Sequence, residues 1–82
     1  MSWYLVDVTC RCGRVHSQGI RMQIPDGPAQ AGTVAELYPS GEVPDALREL
    51  LHDRFWCDEA EEYLEVEGPE RVAVRPVEGP WL

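Results

Sequence analysis

Three cysteines and two histidines in a chain of only 82 residues limit what that chain can become. The segment Cys10-Arg11-Cys12-Gly13-Arg14-Val15-His16 puts three thiolate or imidazole donors close together, and Cys57 follows in the aromatic setting Arg54-Phe55-Trp56-Cys57. A domain of this length buries only about 60–65% of its unfolded surface, so a structural metal adds more to it than to a larger fold. Zinc favours these donor types, and structural zinc sites are closed shells of four. An odd number of cysteines also fits metal binding better than a disulfide framework.

Length and a hydrophobic fraction of 44% indicate one small domain, residues 1–82, in which only the Ala/Gly/Pro-rich stretch 25–32 reads as mobile. No apolar run approaches the length that spans a bilayer. The start Met1-Ser2-Trp3-Tyr4 lacks the basic and apolar regions of a signal peptide, so the expected location is cytoplasmic, where thiols stay reduced.

The net charge of −8 is unevenly spread. Residues 1–24 carry Arg11, Arg14 and Arg21 against Asp7 alone, whereas the remainder carries four arginines against fourteen acids. The excess peaks after Cys57, where Asp58, Glu59, Glu61, Glu62, Glu65, Glu67 and Glu70 occur with no cation between Arg54 and Arg71. Such a surface repels phosphate backbones and steers towards basic partners. As a simpler role, it is a solvated, solubilising face.

Hydrophobic periodicity predicts an α+β fold: a small antiparallel sheet, made of two hairpins plus a short strand, with one helix packed on it and a zinc ion stabilising the whole. Tyr4, Val6, Val8 and Cys10 share one parity in a first strand from Trp3 to Thr9, and His16, Gln18, Ile20, Met22 and Ile24 share one in a second. Gly13 permits the reversal between them, so Cys10 and Cys12 belong to a hairpin tip. Thr33 to Tyr38 reads as a third, shorter strand. A helix is predicted from Pro44 to about Arg54, with Leu47, Leu50, Leu51 and Phe55 on its apolar face. Leu64 and Val66, then Val72 and Val74, return to period two around Glu67-Gly68-Pro69-Glu70 and read as the second hairpin.

Cys10, Cys12, His16 and Cys57 are thus the expected metal ligands, with His52 the alternative to His16. The single residue between Cys10 and Cys12 is fewer than the two to four of the commonest zinc-binding pairs, and the competing reading is of small buried core cysteines. His16 shares the inward parity of its strand. His52 falls off the apolar face of the helix and in its last turn, where it has a sufficient role at the carbonyl end of the dipole. Three thiolates and an imidazole on a zinc ion leave one negative charge, which Arg11 and Arg14 lie near enough to offset.

The Cys10 to Gly13 segment is similar to one half of a zinc-ribbon knuckle, and together with Arg54-Phe55-Trp56-Cys57 it looks like the GRF-type zinc finger. That resemblance implies single-strand nucleic-acid binding. It covers about eight residues, and where the pattern has a further cysteine downstream of Cys57 this chain has Glu61-Glu62-Tyr63-Leu64.

Catalysis is not expected. Acidic neighbours should raise the Cys57 thiol pKa, and the chain has no phosphate-binding glycine loop and no His-Glu-x-x-His helix. The expected function is therefore a non-catalytic, zinc-stabilised protein-interaction module, binding a basic protein surface through Trp56, Glu59, Glu61, Glu62 and Tyr63. The alternatives are a zinc-finger accessory component of a nucleic-acid machine, using Arg11, Arg14 and Arg21, and an accessory subunit of a metalloenzyme. No membrane association is expected.

Overall fold

Strand β1 (Trp3–Thr9) alternates in burial as its sequence alternates, with Tyr4, Val6 and Val8 inside. A computed structural model of the chain describes residues 3–78, the side chains of residues 16–18 lying outside the described set. Strand β2 (Val15–Gln23) returns antiparallel to β1, as the periodicity predicts. The pairing runs from Trp3 opposite Gln23 to Val6 opposite Ile20, and then slips, so that Val8 faces Ser17. Gly19 sits in this interruption with φ +66°, and its amide donates to the Asp7 carboxylate at 2.7 Å. The single parity expected from His16 to Ile24 is therefore broken.

The rest of the sheet departs from expectation. Strand β3 (Gly32–Thr33) has only two residues, and the run expected as a strand to Tyr38 instead forms helix α1 (Val34–Leu37). Its cause is a capping box: the Thr33 hydroxyl accepts from the Glu36 amide at 3.2 Å while the Glu36 carboxylate accepts from the Thr33 amide at 3.0 Å. Helix α2 (Asp45–Leu51) starts one residue after Pro44, which is its N-cap. It stops at His52, short of the expected end, because the His52 and Asp53 amides bond back to Glu49 and Leu50 at 3.1 Å and tighten the last turn. Phe55 consequently leaves the helix and enters strand β4 (Arg54–Cys57).

The second hairpin also differs. Strand β4 pairs with β5 (Glu62–Glu65) in a separate two-stranded sheet, while β6 (Val72–Val77) crosses back to lie between β1 and β3, giving the order β2-β1-β6-β3. Val74 and Val72 stand opposite Val6 and Val8, so joining β1 buries all four together, which pairing with Leu64 and Val66 would not do. A 3₁₀ turn at Pro69–Arg71 makes the crossing. The coarse class holds: a small, mostly stranded α+β fold with antiparallel sheets and two α-helices among the described residues.

The core is built on one face of the larger sheet, where Tyr4, Val6, Val8, Val72 and Val74 meet Ile24, Val34, Leu47 and Leu50. Phe55 and Val66 pack against this core from the smaller sheet. Leu47 has no accessible surface, so Leu47→Ala should lower the unfolding free energy by about 2–5 kcal/mol in a urea melt. Val15→Ala, at a position 44% exposed, should change it by less than about 1 kcal/mol.

Candidate metal centre

Each hairpin ends in a turn that carries cysteine. At the β1–β2 tip the Gly13 amide donates to the Cys10 carbonyl at 2.9 Å, and the Cys10 amide donates to the Arg14 carbonyl at 2.7 Å. Gly13 has φ +91°, a conformation that a residue with a Cβ rarely adopts, so the reversal follows from the glycine after Cys12. Cys10 is half-buried here and Cys12 exposed. At the β4–β5 tip Cys57 is fully buried, and its carbonyl accepts the Glu61 amide at 2.8 Å, Glu61 taking the left-handed conformation at φ +53°.

The two tips meet. The sulfurs of Cys10, Cys12 and Cys57 all lie within 4.8 Å of one another, and none is in a disulfide. A tetrahedral shell of thiolates at about 2.3 Å from zinc has sulfurs about 3.8 Å apart, so a contraction of at most about 1 Å, within reach of side-chain rotation, converts this cluster into a coordination face. Of the expected ligands, then, the structure brings together the three thiols. The side chain of His16 lies outside the described residues. His52 is exposed at the C-cap of α2 and takes no part in the cluster.

Backbone amides prepare the sulfurs for negative charge. The Cys57 sulfur accepts from the Ala60 amide above all, then from Glu59, and these bonds with those from Cys10 and Cys12 overcome burial and bring its pKa down from 9.0 to about 7. The expectation that acidic neighbours would raise it is corrected by where those acids point. Asp58 accepts from the Trp56 indole at 2.7 Å, and Glu59 pairs with Arg14 at 3.2 Å. Cys12 behaves differently: the Arg14 amide draws its pKa down, but burial and the Cys10 and Cys57 sulfurs together push it up. The Cys57-Asp58-Glu59-Ala60 turn escapes a search for ligand residues, because its contribution is made by amides. Its visible trace is the spacing, with Ala60 three residues beyond Cys57 where a paired zinc ligand commonly stands.

The expected binding residues divide between surfaces. Trp56 and Tyr63 stand opposite each other on β4 and β5, 46% and 64% exposed, with ring centroids 5.2 Å apart in an edge-to-face pair. Arg54 and Glu65 flank them, paired at 3.6 Å. Glu62 has the opposite parity, facing Cys57 across the ladder, while Glu59 and Glu61 belong to the loop. Nor do the three N-terminal arginines form one patch. Arg21 stands opposite Leu5 and Val15 opposite Thr9, which separates Arg21 from Arg14 by more than roughly 13 Å of strand. Among the described residues no helix is long and apolar enough to cross a membrane. Comparison of the chain with protein-family models, with curated proteins and with solved structures finds no match.

The Cys57 thiol, lowered to about 7 in the fold from an ordinary 9.0, makes metal-free protein pH-dependent. Between these values the unfolded chain holds the proton and the fold does not, so stability rises with pH from about 7 to 9 and is lost as pH falls through 7. Above 9 the raised Cys12 reverses the slope. Thermal midpoints in chelator should follow this course, and Cys57→Ser should remove the rise.

Proposed function

We propose that the protein is a small, non-catalytic interaction module whose fold is held by zinc on Cys10, Cys12 and Cys57, with His16 as fourth donor. The observation that carries this reading is the convergence of three thiols from two separate hairpins within 4.8 Å. A bound zinc ion would supply a cross-link between the sheets and neutralise most of the thiolate charge, at an apparent binding free energy of about 10–16 kcal/mol, comparable to the stability of a whole domain. Arg14, already at the second tip through Glu59, offsets the remaining charge. The binding surface is the outward face of β4–β5, where the exposed pair Trp56 and Tyr63 lies within the acidic segment and suits a basic protein partner.

Purified protein should hold close to one zinc per chain by elemental analysis, and chelation should lower its melting temperature sharply. His16→Ala should lose the metal and His52→Ala should keep it. Adding Ala60→Cys to His16→Ala should restore zinc, because that position shares the Cys57 turn. Zinc lost through His52→Ala alone, or a preparation indifferent to chelator, would refute the assignment.

Capture of partners from a lysate should fall at least about tenfold with Trp56→Ala and Tyr63→Ala together. It should also weaken with charge reversal at Glu59, Glu61 and Glu62, while zinc and the cooperative melt persist. Capture abolished instead by replacing Arg11 and Arg14, with retention on single-stranded DNA, would select the nucleic-acid reading.

A further inference from the structure

The three sulfurs of the cluster differ in their access to solvent, a difference that metal coordination does not use. Cys12 is exposed on the β1–β2 tip, Cys10 beside it is half-buried, and Cys57 on the β4–β5 tip has no accessible surface. A small oxidant arriving from solvent therefore meets Cys12 first, with a second sulfur sheltered close behind it. An oxidisable thiol with a resolving partner has this arrangement, because susceptibility follows exposure and a neighbouring thiol converts the first product into a disulfide.

The fold favours Cys57 over Cys10 as that partner. Both sulfurs lie within 4.8 Å of the Cys12 sulfur. Only Arg11 separates Cys10 from Cys12, however, in a turn already closed by the Gly13 amide on the Cys10 carbonyl at 2.9 Å. A bond across that turn has to fit a torsion of roughly 90° into a small ring. Cys12 and Cys57 belong to separate hairpins, and Arg14 and Glu59 beyond them pair at 3.2 Å, which holds the two tips side by side. Closing at most 4.8 Å to the roughly 2 Å of a disulfide takes side-chain rotation, for which the exposed Cys12 has room.

We propose that Cys12 is a peroxide-sensitive site whose oxidation ends in a Cys12–Cys57 disulfide and releases zinc from the cluster. The Cys12 sulfur attacks hydrogen peroxide: an S–O bond forms, the O–O bond breaks, the sulfur gives up two electrons, and the departing hydroxide is protonated to water. The Cys57 sulfur then attacks the Cys12 sulfur. The S–S bond forms, the S–O bond breaks, and the second hydroxide leaves as water on taking a proton. Two thiols and one peroxide become one disulfide and two waters. The bond consumes two of the three thiolates, so a closed shell of four donors is lost. Zinc release rests on the reading of this cluster as a zinc centre, whereas the disulfide needs only the sulfurs. The two tips stay joined in both states, by the ion before oxidation and by a covalent bond after it.

The test treats the full chain, as purified, with hydrogen peroxide and follows its mass alongside a colorimetric zinc indicator. The chain should lose two hydrogens while remaining a monomer, zinc should appear in step with that loss, and a dithiol reductant should reverse both. Trypsin then assigns the bond, because cleavage after Arg11, Arg14, Arg54 and Arg71 places the three cysteines in the separate peptides 1–11, 12–14 and 55–71. Peptides 12–14 and 55–71 should be joined. Dimedone present during oxidation should label 12–14 at least about fivefold more than 1–11, since it traps the first product. A bond between 1–11 and 12–14, a bond between chains, label chiefly on 1–11, or sulfinic acid without disulfide would each overturn the proposal. A preparation that forms the Cys12–Cys57 bond but held no zinc refutes the metal reading and supports the oxidation site.

Discussion

The meeting of three sulfurs between two hairpin tips is the constraint on which the arrangement of this molecule rests. Among the described residues the four-stranded and two-stranded sheets share no hydrogen-bonded ladder, so the chain connections and side-chain contacts relate them. A two-stranded hairpin is marginal by itself in water. Phe55 and Val66 give β4–β5 an apolar footing on the core, and Arg14 ties its loop to the β1–β2 tip through Glu59. That ion pair is exposed on both sides and contributes less than about 1 kcal/mol. The buried sulfur of Cys57, against Cys10 and Cys12, therefore joins that apolar footing in fixing where Trp56 and Tyr63 are presented.

The electrostatics of the site follow from short distances rather than from composition. Seven acids crowd the sequence after Cys57, yet its thiol is pulled towards ionisation. Amide hydrogens of Ala60 and Glu59 sit on the sulfur, while the carboxylates of Asp58 and Glu59 are engaged by an indole and a guanidinium. A hydrogen bond acts at contact, whereas a solvated charge is screened within several ångströms.

What could be read from the sequence was what depends on local pattern. The alternation in Trp3–Thr9, the reversal at Gly13 and the helical face of Leu47 and Leu50 all appear as periodicity predicts. The convergence of the thiols was also legible, since few residue types have so strong a common chemistry. Strand partnership was not. Period two reports that Leu64, Val66, Val72 and Val74 are half-buried but is silent on their neighbours, and the choice was made by Val6 and Val8, some sixty residues upstream. At Val34–Leu37 a short apolar run was ambiguous, although Thr33 and Glu36 had already written the helix start. The slip beside Gly19 left only that glycine as its sign, and with it the parity argument for His16 ends at Ile20.

That slip has a further effect at the margin of the sheet. Strand β2 is outermost, and nine residues of straight edge would offer a neighbouring molecule a ready template for intermolecular pairing. Its ladder changes spacing beyond Ile20, and a regular incoming strand would lose register there within a few residues. The opposite margin is closed by other means: β3 covers only Ala73 and Val74 of β6, and Pro76 just beyond brings no amide to donate. Both borders of the larger sheet thus carry an interruption that works against the addition of a further regular strand.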